Sequence, residues 1–140
     1  MNIDKKRIFK KFDEINDALK QVERVKALKL NEFLESRDYK DIAYANLIII
    51  TEAVIDICFH ITAKRLLKAP SSYGDCFNLL KENNLIPADV SNVLIEMARF
   101  RNLMIHRYEK IDFGKVYEII TNSMGWIDKF KKMVFKLVEE

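Results

Sequence analysis

The stretch Arg7 to Val25, RIFKKFDEINDALKQVERV, decides the fold. Its apolar residues at 8, 12, 15, 19, 22 and 25 follow the three-and-four spacing of a helix that buries one stripe, with Lys, Asp and Glu between them. The rest of the chain supports the same class. With 3 Gly, 2 Pro and 49% apolar residues the composition disfavours a turn-rich β protein, and 32% charged residues supply a soluble surface. A chain of 140 residues fits one domain and can bury roughly two thirds of the surface its unfolded form exposes, so it needs neither disulfides nor a structural metal. Cys58 and Cys76 have no second Cys or His at ligand spacing and are expected to be reduced, structural thiols.

Working outward, the helical pattern lapses over residues 31–41, NEFLESRDYKD, where Asn31 and then Asp38 or Asp41 can cap new turns. A second, long helix is expected to run to about Lys68, ahead of Pro70. Residues 70–87, PSSYGDCFNLLKENNLIP, predict a loop, a short helix from Asp75 to Asn83 and a loop; Pro87 suits the first turn of the next helix. Asp112 can cap a last helix whose apolar residues at 116, 120, 124, 127, 130 and 134 keep the period in spite of Gly125. The expected fold is all-α: a single domain over 1–140, an antiparallel up-and-down bundle of four main helices plus a short one.

Residues 1–15 lack the apolar segment of a signal peptide, which predicts a cytoplasmic protein. The run from Ile42 to Ile61 is interrupted by Glu52, Asp56 and His60, so no membrane span is expected. A net charge of +3 is too small for a general nucleic-acid binder, and any polyanion contact must come from a local cluster of positive charge.

Two features carry possible chemistry. Glu52, Asp56, His60 and Lys64 recur every four residues and form one polar ridge on an otherwise apolar helix. The ridge is either a solvated face with two ion pairs or a pair of carboxylates facing a cation; metal binding would need ligands from another helix. The second feature is ARFRNLMIHRYEKID, residues 98–112. Arg101 shares the stripe of Val90, Leu94, Met97 and Met104, the side expected to be buried, so it needs a carboxylate, a subunit interface or a substrate phosphate. Tyr108 falls within about 20° of that stripe, whereas His106 lies about 140° from Arg101. Either the helix ends near His106 and the chain turns it back, or two copies of the protein share one site.

Arg101-Asn102-x-x-x-His106-x-Tyr108 resembles the R-N-x-x-x-H-x-Y signature of HEPN-domain toxins of the HepT type, which are encoded beside a nucleotidyltransferase antitoxin of the MNT type. IIITEAVIDICFHI (48–61), PSSYGDCFNLL (70–80) and KIDFGKVYEII (110–120) are similar to further segments of that family, in the same order. The likeness covers about Tyr44 to Ile120; Arg99-Phe100 stands where the family often has Gly-Phe. The resemblance implies a helical homodimer with the motif helices face to face, or a larger hetero-oligomer. It implies a metal-independent endoribonuclease, the toxin of a type VII-like toxin–antitoxin pair, with no cofactor. Arg101 and His106 would be catalytic, with Asn102, Glu52 and Asp56 supporting them. RNA supplies its own 2′-hydroxyl nucleophile, so a proton carrier and positive charge at the phosphate suffice. A histidine, which ordinarily titrates near about 6.5, and a planar guanidinium provide them. The resemblance makes Tyr108 the place where the antitoxin attaches AMP. The alternative is a non-catalytic helical subunit that binds a nucleotide or the nucleotidyltransferase.

Overall fold

The computed structural model describes residues 2–139, which form an all-helical bundle. Its seven α-helices are α1 (Lys5–Lys26), α2 (Leu30–Glu35), α3 (Arg37–Arg65), α4 (Tyr73–Glu82), α5 (Ala88–His106), α6 (Phe113–Asn122) and α7 (Trp126–Glu139), with a 3-10 turn at Tyr108–Lys110. The described residues contain no strand.

The α1 stripe is buried as its spacing requires: Ile8, Ile15, Val22 and Val25 are all inaccessible or nearly so. Asp4 caps the helix, its carboxylate accepting from Arg7 N at 3.1 Å. α1 lies antiparallel along α3, with Asp4 beside His60 and Lys11 beside Asp56. α3 is the axis of the bundle and packs against α1, α2, α4, α5 and α6. It is long and apolar enough to cross a membrane by length and composition, but half of its most apolar window is buried inside this bundle. α5 is antiparallel to α3, since Arg101 meets Glu52 and Met104 meets Tyr44.

Five local expectations are corrected. The last helix is two, α6 and α7, broken at Ser123–Gly125, where Ser123 leaves helical geometry at φ −129° and ψ 27°. The period survives the break because Val116 and Ile120 before it and Ile127, Phe130 and Val134 after it are buried in the same core. Gly125 has no positive φ, so poor helix propensity, and not a turn only glycine could make, accounts for its place there. Asn31 lies inside α2, whose first turn is closed by Glu32 reaching back to Lys29 N at 2.8 Å. The cap of α3 is Ser36, accepting from Tyr39 N at 3.2 Å, and neither Asp38 nor Asp41; both follow the extended residue at which a cap must sit. Pro87, in turn, is the extended residue before α5 and not its first turn, and α4, capped by Ser72, starts at Tyr73, two residues ahead of the expected Asp75. Asp112 does cap α6, accepting from Lys115 N at 3.2 Å.

Candidate functional site

Val90, Leu94, Met97 and Met104 of α5 are buried against the bundle, and Arg101 lies on the same stripe with its side chain four-fifths covered. Its anion comes from α3. Nη2 donates to Glu52 Oε1 at 2.8 Å, while Nη1 donates to the Asn102 carboxamide oxygen at 3.1 Å. Nε is buried and has no hydrogen-bond partner among the described residues. A guanidinium has five N–H donors in a rigid plane, so two contacts orient the group and leave donors for an anion.

α5 ends at His106, where Arg107 departs from helical geometry at φ −138° and ψ 51°. His106 therefore keeps its helical direction, away from Arg101, and the two side chains make no hydrogen bond to each other. The imidazole is exposed and has no hydrogen-bond partner among the described residues. What the turn re-aims is Tyr108. Its ring packs edge-on against Tyr44 at 5.1 Å and against Phe113 at 6.4 Å, yet it remains 46% exposed with its hydroxyl uncommitted among the described residues. Tyr44 was not among the residues singled out from the sequence. Its hydroxyl donates to the Met104 carbonyl at 3.2 Å, one of the last α5 carbonyls that have no partner within the helix.

The polar ridge of α3 does not act as a unit. Of the two carboxylates expected to hold Arg101, Glu52 does so, while Asp56 turns to α1 and pairs with Lys11 at 3.1 Å, so its expected supporting place beside the arginine is corrected. His60 is buried and its Nε2 accepts from Asp4 N at 2.9 Å. Burial holds its imidazole below the ordinary histidine value, the charges of Arg7 and Lys64 push the same way, and Asp4 opposes them. Burial also raises the Cys58 and Cys76 thiols, both free, so neither is a ready nucleophile. No group of three or more His, Cys, Asp or Glu gathers at metal-ligand distance among the described residues. A cavity of about 500 Å³ adjoins Asn102, lined also by Phe59, Ser72, Tyr73, Ile95 and Arg99.

An orientable arginine, a free imidazole and an accessible phenol thus occupy one end of one helix. A family model described as ribonuclease HepT-like matches residues 15–134. The chain belongs to that family. Among HepT-like relatives, the mRNA nuclease HepT of Shewanella oneidensis is 29% identical over 123 residues, which span 88% of this chain and 92% of the relative. The tRNA nuclease HepT of Aphanizomenon flos-aquae is 29% identical over 110 residues, 77% of this chain and 71% of the relative. A solved structure of a tri-AMPylated Shewanella oneidensis HEPN toxin in complex with MNT antitoxin superposes with a TM-score of 0.86 at 28% identity, covering 93% of this chain and 97% of that one.

Proposed function

We propose that the protein is a toxin whose activity is metal-independent endoribonucleolytic cleavage of RNA, carried out in the cytoplasm by a homodimer. The observation that carries this is Arg101, held by Glu52 and Asn102 through only two of its five N–H donors, on the same helix as an unengaged His106. In the reaction the 2′-oxygen attacks phosphorus and the 5′-oxygen leaves, giving a 2′,3′-cyclic phosphate and a 5′-hydroxyl. His106 accepts the 2′-hydroxyl proton, and Arg101 neutralises the charge that grows on the phosphate oxygens. The leaving oxygen needs a proton donor, and within one copy His106 and Arg101 point apart. A twofold dimer with the α5 ends adjacent supplies a second His106 and joins the separated groups into composite sites. Asn102 and Glu52 position Arg101; Asp56, engaged by Lys11, has no part in this mechanism.

The partner is an MNT-type nucleotidyltransferase that silences the toxin on Tyr108. The phenolic oxygen attacks the α-phosphorus of ATP, pyrophosphate departs and the phenol proton is lost, leaving AMP on a tyrosine that is exposed and has a spare hydroxyl. The added phosphate lies beside His106 and Arg107 and competes with RNA for the cations.

The test is cleavage of a defined RNA by unmodified protein with EDTA present, followed by analysis of the ends. Cyclic-phosphate and 5′-hydroxyl ends support the reading; strict metal dependence overturns it. With an active partner and ATP, intact and peptide masses should show AMP on Tyr108 and none on a Tyr108→Phe protein that still cleaves RNA. AMP at another residue removes Tyr108 from the regulatory role.

A further inference from the structure

The net charge of +3 hides an uneven distribution. Residues 5–12, KKRIFKKF, and 129–136, KFKKMVFK, hold nine of the 24 basic residues and none of the 21 acidic ones. The other 124 residues, with 15 basic against 21 acidic, are net −6. The fold brings these two segments together. α1 and α7 run antiparallel at the surface, with Phe9 and Phe135 rings 6.1 Å apart, Phe9 and Phe12 also 6.1 Å apart, and Lys131 Nζ donating to Asn16 Oδ1 at 2.7 Å. Phe9 is 38% and Phe135 50% exposed, and beside them lies a depression of about 300 Å³ lined by Phe12, Asn16, Lys131, Lys132 and Phe135.

Two of the nine cations are spent, Lys11 on Glu14 and Asp56 and Lys129 on Asp89. Lys5, Lys6, Lys10, Lys132 and Lys136 are exposed and form no ion pair among the described residues. Asp13, Asp128 and Glu139 border the same face, which stays cationic after they are counted.

We propose that this α1/α7 face is a second RNA-binding surface, on which unpaired bases stack on Phe9 and Phe135 while the flanking lysines hold the phosphates. The inference rests on RNA being the substrate and adds to it a surface on other helices than the one that carries Arg101 and His106. Arg101 is level with Glu52 on α3, whereas Phe9 lies between Asp4, level with His60, and Lys11, level with Asp56, so the rings stand about four to eight residues of helix, roughly 6–12 Å along the axis, from Arg101. Half-exposed rings among unpaired lysines suit a single strand, whose bases offer π-faces that a duplex hides. They suit an anionic membrane less well, because a helix lying in lipid inserts its apolar stripe, and that of α1 is buried in the core.

The experiment measures binding of the full-length chain to a 20-nucleotide, non-cleavable 2′-O-methyl RNA across a salt series. Replacing Lys5, Lys6, Lys132 and Lys136 together by Gln should flatten the logarithmic salt slope by roughly 0.7 per lysine. Phe9→Leu with Phe135→Leu, which keeps the apolar packing, should weaken binding roughly tenfold and leave that slope alone. Neither variant should alter cleavage of a dinucleotide, which is too short to span both places. Unchanged RNA affinity and slope in both variants overturn the proposal, even where the wild-type protein cleaves RNA. Weaker RNA binding by these variants, where the wild-type protein binds RNA but never cleaves it, upholds the proposal while removing the catalytic mechanism. Capture of phosphatidylserine vesicles in place of RNA, or a change of oligomeric state without a change in RNA affinity, overturns it in favour of a membrane or a subunit contact.

Discussion

The chain's two histidines occupy opposite environments. His60 sits mid-bundle, 6% exposed, with Nε2 engaged by the backbone N–H of Asp4, and it fixes the start of α1 against α3. His106 ends α5 in water with nothing bound to either nitrogen among the described residues. The same contrast separates the two carboxylates of the α3 ridge. Asp56 meets a lysine and spends it together with Glu14, whereas Glu52 takes only one N–H of an arginine that has others left. A polar group whose capacity is used up inside the fold stabilises it; one left with capacity can act on something else.

That contrast can be broken by exchange of roles. His106→Ala should lower RNA cleavage by about 10²-fold or more, the ordinary scale of a lost acid–base group, with the thermal midpoint unchanged. Glu52→Gln should lower cleavage by roughly tenfold through misplacement of Arg101, and a binding assay with non-cleavable RNA should show a smaller loss than the turnover assay. His60→Ala should do the reverse, costing about 1–2 kcal/mol in denaturant unfolding by stranding the Asp4 N–H, while the folded protein still cleaves. A His60→Ala protein that melts normally yet does not cut RNA would reverse the assignment of the two histidines.

A finer test uses pH. Because burial lowers the folded-state value of His60, the unfolded chain takes up the proton first as pH falls. Stability should therefore be full above about 6.5, the ordinary histidine value, and fall as pH drops from there through the depressed folded value. His60→Gln should remove that part of the pH dependence. The smallest effect is expected from Asp56→Asn, whose half-exposed pair with Lys11 is worth about 1 kcal/mol or less, with no change in cleavage.

Much of the fold was legible because helical spacing records which side of each segment is buried. That is also why the break at Ser123–Gly125 was not legible: α6 and α7 bury residues of one continuous pattern, and periodicity measures phase, not continuity. The start of α3 offered Asp38 and Asp41 as plausible caps, while Ser36 takes the role because its backbone is the one in extended geometry. At the site, the stripe position of Arg101 and the offset of His106 followed from 100° per residue, whereas Tyr108, past the end of α5, left the stripe on which that spacing put it. The choice of Glu52 over Asp56 did not follow, since both lie on one ridge and α1 and α5 approach α3 at different levels and from different sides.

The sequence by itself determined the helical class, the buried stripe of each long helix, the need of Arg101 for an anion and the excess of positive charge in two short segments. These are properties of neighbours along the chain, set by the period of the helix and the chemistry of the side chains. The tertiary structure decided which carboxylate meets Arg101, that His60 is spent and His106 free, that Tyr44 steadies the Tyr108 turn, and that the two basic segments share a face. Each of these joins residues far apart in sequence, and how helices cross is fixed by the packing of the whole core.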